Sequence, residues 1–377
     1  MSRLDLVCLS SADWDAPLWT NKQHLMRRLA RNGVRVVYVD SLGLRRPNLT
    51  ATDARRIRRR LAAWRPVAVE VEPNLLRDSP LVLPFHGNRY ASAVNAALLR
   101  ARVRRNALVR RLDRPVLWTY VPQALDVFDR RRFRALVYHC VDYVGAYPGV
   151  DADAFERAER ELVEAADVTI ASSRPLADHL ERLGAREVLY WPNPADSGRF
   201  AAARGHSRPN GSRVAGFAGA LDPHKLDVEL LAGVAERLPE WEFELVGPGT
   251  LERHFPPNVR CRGHVDREQL PDVVAGFSAG IIPYALTTYT EGVFPMKVFE
   301  YLASGLPVVS TPLPSLVGEV EHVAFAADAD AFARSLEAQT SEPARVDARV
   351  AYAARHSWEA RTDEALALLG RLTEAGT

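Results

Sequence analysis

Cysteine is scarce: three occur in 377 residues, Cys8, Cys140 and Cys261, each more than a hundred residues from the next. That spacing gives neither a metal knuckle nor a disulfide framework, and reduced thiols are expected. Uninterrupted apolar runs of about 18 residues are missing too, so no membrane span is expected. The opening MSRLDLVCLSSADWD has one arginine, a short apolar run and then acids, which reads as a first β-strand and not a secretory leader. A cytoplasmic protein is the expectation. Net charge is almost absent, at +2. With 47% apolar and 25% charged residues, disorder, collagen and coiled coil are disfavoured for the chain as a whole. At roughly 100–200 residues per domain, the length suggests two domains.

The small net charge hides an asymmetry. Residues 1–134 carry 27 Lys/Arg against 11 Asp/Glu, and the remainder carries 22 against 36. Arginine dominates, in three clusters: Arg55, Arg56, Arg58, Arg59 and Arg60; Arg100, Arg102, Arg104, Arg105, Arg110 and Arg111; and Arg130, Arg131, Arg132 and Arg134. Such a patch attracts polyanions. No aromatic residues interleave to stack bases, so nucleic acid is the weaker partner. An anionic membrane surface on the inner face fits better, and a merely solvated helix face is the other reading.

Short β-rich runs alternate with amphipathic stretches through both halves. In the first half LDLVCLS, VRVVYVD, RPVLWTYV, ALVYHCV and DVTIASS read as strands, with KQHLMRRLARNG and DAFERAERELVEAA as helices. Residues 191–212, rich in Pro, Gly, Asn and Ser, read as a linker. The alternation then restarts with RVAGFAGAL and continues to two Ala/Arg/Glu-rich helices at the end. This pattern predicts an α/β fold of two Rossmann-like domains with parallel sheets facing a central cleft. The expected boundaries are 1–195 for the first domain and 196–357 for the second, with 358–377 a helix crossing back to the first.

The most informative stretch is EGVFPMKVFEYLASGLPVVSTPLPSL, residues 291–316. Pro295 suits a first helical position, Gly305 a left-handed stop, and Pro307 prevents continuation. Lys297 then stands in the first turn, unfavourably for the helix dipole unless an anion shares the spot. Glu300 follows on the same face, placed to accept hydrogen bonds from ribose hydroxyls; a surface Lys297–Glu300 ion pair is the competing reading.

This segment resembles the nucleotide-sugar signature of GT-B glycosyltransferases, the broad glycosyltransferase family 4. The resemblance implies that Glu300 binds the donor ribose and that Met296 and Lys297 face the diphosphate. VAGFAGALDPHKLDVELL resembles the first donor-domain turn, which makes Gly219 a phosphate-loop glycine and Lys225 a phosphate-binding cation. In NVRCRGHV, Gly263, His264 and Val265 resemble the segment whose backbone holds the base. HSWEAR resembles the closing helix, and WDAPLWTNKQHLMRRLARNGVRVVYVD resembles the teichuronic acid and exopolysaccharide branch. Tyr138 to Asp142 match a strand end that recurs in that branch.

Two departures accompany the likeness. The usual pair of acids is Glu-x7-Glu, ending here at Glu300, but position 292 is glycine and Glu291 sits one residue early; Ala220 replaces the usual arginine. The expected activity is transfer of a sugar from a UDP- or GDP-sugar to a lipid-linked or glycan acceptor in surface polysaccharide synthesis. It needs no cofactor and no metal, since no Asp-x-Asp cluster suggests a bound divalent ion. An inverting reaction needs a base, with Asp142, His139 and Asp15 as candidates. Trp14 and Trp19 are candidates for stacking on a sugar ring. A nucleotide-sugar 2-epimerase and a non-catalytic GT-B scaffold are the alternatives.

Overall fold

The computed structural model describes residues 4–16, 19–41, 68–80, 112–206, 213–340 and 345–374, with a few positions between 94 and 102. The first arginine cluster and most of the second lie outside the described residues. The chain divides into two units, Met1–Trp191 with Arg361–Thr377, and Pro192–Ala360.

The first unit holds β1 (Asp5–Leu9), α1 (Asn21–Arg31), β2 (Arg35–Val39), β3 (Val69–Glu72), β4 (Leu75–Asp78), β5 (Val116–Thr119), α2 (Ala124–Val127), β6 (Leu136–Cys140), α3 (Ala152–Ala165), β7 (Val168–Ala171), α4 (Arg174–Arg182) and β8 (Val188–Tyr190). Their sheet runs β3-β4-β2-β1-β5-β6-β7-β8, parallel throughout except for β3. Strands β1, β2, β5, β6 and β7 are buried on both faces, as a sheet covered on both sides requires, while β3 at the edge is mostly exposed. Leu9, Leu117, Leu136 and Leu162 are fully buried in the core. Helix starts carry oxygen caps: Asp151 accepts from the Ala154 N–H and Ser173 from the Leu176 N–H.

The second unit holds α5 (Ser197–Ala202), β9 (Val214–Ala218), α6 (Val228–Arg237), β10 (Glu242–Val246), β11 (Val259–Gly263), α7 (Leu270–Ala275), β12 (Ala279–Ile282), α8 (Thr288–Glu291), α9 (Lys297–Ala303), β13 (Val308–Ser310), β14 (Val323–Phe325), α10 (Ala329–Thr340), α11 (Val346–Arg355) and the start of α12 (Trp358–Glu374). The sheet order is β11-β10-β9-β12-β13-β14, with every pairing parallel. The order reverses between β9 and β12, and a sheet of this kind binds ligands at the carboxyl ends of its strands there.

Three sequence expectations change. Residues 191–206 are not a solvated tether: Trp191, Asn193, Ala195 and Phe200 are buried and α5 occupies 197–202. Ser197 Oγ donates to the Ala353 carbonyl at 2.8 Å, which binds this stretch to α11. The hairpin β3–β4 had no counterpart in the sequence reading, because VEVEPNLLRD lacks the apolar density of the other strands. Third, α9 has seven residues and starts at Lys297, so Pro295 stands before the helix, its carbonyl accepting from the Val298 N–H. Gly305 ends it at φ +76°. A Cβ there would also lie 2.8 Å from Val346 Cγ1, so glycine is required twice over.

Candidate active site

At the β9/β12 switch point the second unit gathers most of the residues expected to hold a donor. The Gly219 N–H donates to the Val246 carbonyl, and the Gly247 N–H donates to the Gly263 carbonyl. These bonds lace together the ends of β9, β10 and β11. Gly247 has φ +148°, and a Cβ on it would fall 1.8 Å from the Gly219 oxygen. Two backbones can approach this closely only when a side chain is absent.

Lys297 reaches this glycine turn from α9. A Cβ on Gly219 would lie 3.1 Å from Lys297 Nζ. The ammonium donates to Tyr284 Oη at 2.7 Å and sits 4.9 Å from the Phe217 ring centroid and 5.0 Å from that of Tyr284. Aromatic faces stabilise the cation without neutralising it. Because α9 is one short stretch, its dipole is small, and the two rings and the Tyr284 hydroxyl are what hold the ammonium in place. Tyr301, fully buried one residue after Glu300, accepts the Ala218 N–H at 2.8 Å and fixes α9 to the end of β9. Gly280 makes room for the Tyr301 ring, which a Cβ would meet at 2.2 Å.

No Lys297–Glu300 ion pair forms; among the described residues the Glu300 carboxylate takes part in no hydrogen bond or ion pair. Desolvation pushes its pKa up from 4.5 to about 7, Lys297 pulling it down and Asp196 pushing it up. Asp196 stands between Arg199 (3.9 Å) and Arg267 (3.8 Å), and both arginines also favour the Glu300 anion. A carboxyl raised this way favours the neutral form in the fold. Its stabilising contribution is complete below pH 4.5 and is lost as the pH rises through about 7. Glu300→Gln should therefore resist the alkaline side better. Between pH 5 and pH 8 the wild-type chain should lose about 1–3 kcal/mol more stability than this variant, measured by denaturant unfolding.

Lys225 lies in the β9–α6 loop, its Nζ 5.3 Å from the Tyr289 ring centroid. Its carbonyl accepts the Ala285 N–H at 2.8 Å, which ties this loop to the one after β12. Met296 is half-buried; His264 is exposed, its Nε2 4.0 Å from Asp266, and Val265 is half-buried beside it. Glu291 is exposed at the end of α8, and Gly292 is buried. Tyr284, Tyr289, Tyr301, Gly247, Arg199 and Arg267 were not singled out by the sequence reading. Of these, only the φ-demanding Gly247, in the Gly-Pro-Gly after β10, left a local signal.

In the first unit the three base candidates are in different surroundings. His139 is 4% exposed, stacked on Tyr120 at 4.9 Å and flanked by Trp118 and Trp191. Neither ring nitrogen has a hydrogen-bond partner among the described residues, and burial holds its pKa well below the usual range, with Arg361 and Lys22 adding to the effect. Asp15 is paired with Arg77 at 3.0 Å, which also binds Asp40 at 2.8 Å. Asp40 accepts the Trp14 N–H at 2.8 Å, so Asp15 belongs to a brace for this loop, where Trp14 and Trp19 pack 4.8 Å apart. Asp142 lies just past β6, half-buried, with no side-chain partner among the described residues. Asp15 and His139 are thus committed to packing, and Asp142 is not.

Among the described residues, no group of three or more His, Cys, Asp or Glu gathers to hold a metal. Of the three Asp-x-Asp pairs, Asp151 and Asp328 cap helices, Asp330 pairs with Arg237 and Asp15 pairs with Arg77. Of the third arginine cluster, Arg130 binds Asp167, Arg131 binds Asp129, and Arg134 donates to the Thr373 carbonyl. No helix among the described residues is long and apolar enough to cross a membrane.

Known proteins bear on this arrangement directly. Residues 212–340 match the family described as Glycosyl transferases group 1. A sucrose-phosphate synthase from Thermosynechococcus elongatus superposes with a TM-score of 0.72 at 17% identity, over 99% of this chain and 100% of that one. The chain has the GT-B fold, and the residues that match the group 1 glycosyltransferase model lie within its second unit. HepE of Anabaena, solved with UDP and glucose, shares the GT-B architecture with a TM-score of 0.64 at 14% identity, over 98% of this chain and 99% of that one. TuaH of Bacillus subtilis (strain 168), named as a teichuronic acid biosynthesis glycosyltransferase, is 38% identical over 109 residues. That alignment spans 27% of each chain, about a quarter of TuaH's length.

Proposed function

We propose that the protein transfers a sugar from a nucleotide diphosphate sugar, a UDP-sugar before a GDP-sugar, to a lipid-linked or glycan acceptor in polysaccharide synthesis. The observation that carries this reading is the Lys297 ammonium held against the side-chain-free Gly219, one turn from a Glu300 carboxylate with no hydrogen-bond or ion-pair partner among the described residues. A cation beside open backbone suits a diphosphate, and a carboxylate lacking donors suits the vicinal hydroxyls of a ribose. The matched family, the complexes of HepE with UDP and the teichuronic acid role named for TuaH all support it.

On this reading Gly219 and Lys225 line the phosphates with Met296 and Lys297, and the backbone of Gly263, His264 and Val265 holds the base. Lys225 and Lys297 balance the charge that grows on the departing diphosphate, so the protein's own cations supply what a metal would otherwise supply. If the anomeric centre inverts, Asp142 takes the acceptor's hydroxyl proton as oxygen attacks C1 and the C1–O bond to the diphosphate breaks. A lipid-linked acceptor would bring the protein to the inner membrane face.

A thermal-shift series with UDP, GDP and their sugars tests the donor site, since a ligand of the folded state alone raises the apparent stability. UDP is expected to raise Tm, and the shift should shrink as the pH drops below about 7. At pH 6 a carboxyl with a pKa near 7 is about one-tenth ionised, which corresponds to about tenfold weaker binding. Radiolabelled sugar should then pass from UDP-glucose into a lipid or glycan extract. Absence of any nucleotide-dependent shift would sink the assignment.

A further inference from the structure

Asp196 occupies the N-cap of α5, where an aspartate ordinarily accepts an N–H of its own helix, yet its side chain makes no such bond. Its carboxylate instead faces two guanidinium groups, Arg199 at 3.9 Å and Arg267 at 3.8 Å. Arg199, one turn along α5, divides its terminal nitrogens between two partners. Nη1 is the atom nearest Asp196, while Nη2 donates to the Arg267 carbonyl at 3.3 Å and reaches the Glu268 carbonyl at 3.5 Å. A planar fork suits this double reach, and a lysine ammonium does not. Both carbonyls belong to the connection between β11 and α7, which begins with Gly263, His264 and Val265. At its near end the connection is tied by the Gly247 N–H, which donates to the Gly263 carbonyl at 2.8 Å. At its far end the Asp266 carbonyl accepts the Gln269 and Leu270 N–H groups and closes the turn into α7.

Helix α5 also packs against α9, which carries Lys297 and Glu300. Asp196, Arg267 and Arg199 all act on the Glu300 carboxyl: the aspartate opposes its ionisation and the arginines favour it, beside the larger effects of burial and of Lys297. Of the other elements packed on α9, β12 and β13 carry no charge. The charges on α11 are engaged elsewhere: Asp347 pairs with Arg204 at 3.8 Å, Arg349 donates to the Gly305 carbonyl, and Arg355 lies over the Tyr352 ring. His356, just past α11, stacks on Phe299 at 4.3 Å. One cluster of three side chains thus acts both on the backbone proposed for the base and on the carboxylate proposed for the ribose.

We propose that Asp196, Arg199 and Arg267 are positioning residues for the nucleoside: they clasp the 263–268 backbone to α5 at a fixed distance from Glu300, and so fit the second unit to a base and a ribose together. This rests on the donor reading given above. Recognition shared by two separate elements weakens when their spacing drifts, because the ligand must then order them itself. None of the three side chains needs to touch the nucleotide.

The test is calorimetric titration of the full chain with UDP between about pH 5.5 and pH 8.5, beside thermal unfolding. Arg199→Gln should weaken UDP binding about tenfold at the alkaline end. Arg199→Lys should recover little of that loss, since one ammonium cannot span Asp196 and the loop carbonyls. Asp196→Asn should weaken binding about threefold and move the pH of half-maximal binding downward, because a like charge beside Glu300 is gone. Arg267→Gln should move that midpoint upward, because an opposite charge is lost. Arg199 and Arg267 are half-buried, so their variants are expected to fold. Weakening that is equal at every pH in all the variants, or a lower Tm with UDP affinity and its midpoint unmoved, would show a brace serving the fold alone and overturn the proposal. Full recovery in Arg199→Lys would overturn it too. A wild-type chain that binds no UDP would overturn the donor reading, and this inference with it; a chain that binds UDP, with variants that titrate as wild type does, loses this inference alone.

Discussion

Asp142→Asn is expected, for an inverting transfer, to lower kcat by about 10²–10⁴-fold, the range supplied by a general base, while UDP binding stays within about twofold of wild type. The amide keeps the size and the backbone geometry of the strand end but cannot accept the hydroxyl proton. Among the three acids and bases considered, Asp142 alone combines partial exposure with a carboxylate that no described side chain engages. Asp15→Asn should act differently: it loosens the tie to Arg77 and should alter stability more than turnover. His139→Gln should also act mainly on stability, because the imidazole is enclosed by Tyr120, Trp118 and Trp191. Steady-state kinetics beside thermal unfolding separates the cases. Full activity in Asp142→Asn would remove it from the mechanism, and with a donor site still intact would point to a retaining reaction that needs no such base.

Lys297→Met carries the second large effect. Methionine retains the length and the contact with Phe217 and Tyr284 and deletes the charge. Negative charge accumulates on the diphosphate as the glycosidic bond breaks, so the ammonium contributes more in the transition state than in the ground state. A fall in kcat of about 10²–10³-fold is expected, with a smaller weakening of UDP affinity. Tyr284→Phe, which removes only the hydroxyl bonded to Nζ, should give a milder loss in the same direction. Equal losses in kcat and in UDP affinity would mean that Lys297 serves binding alone.

The segment proposed to hold the donor was legible because its features are local. Lys297, Glu300 and Gly305 stand within nine residues, and their spacing already places cation, carboxylate and helix stop. What the sequence hid were partners brought in from afar. Tyr284 reaches Lys297 from the end of another strand, and Gly219 meets Gly247 across a loop crossing. The dipole of a full helix was over-weighted, since α9 has only seven residues. In DAFERAERELVEAA four glutamates look alike, and only the register against Phe155, Leu162 and Val163 selects Glu159 for burial. The surroundings of the base candidates were the least legible part: a strand-end aspartate, a histidine and a loop aspartate differ only in what encloses them once folded.

Residues 361–377 belong to the first unit although more than 160 residues of the second unit precede them. Arg371 grips Glu187 at 2.7 Å, and the Thr373 carbonyl receives Arg134, so this return is bonded into the unit's fabric. On the ribosome, the amino-terminal half must therefore wait, incomplete, until translation has passed through everything between. Neither half can be obtained whole by a single cut in the gene, and excising the second would require rejoining two distant ends.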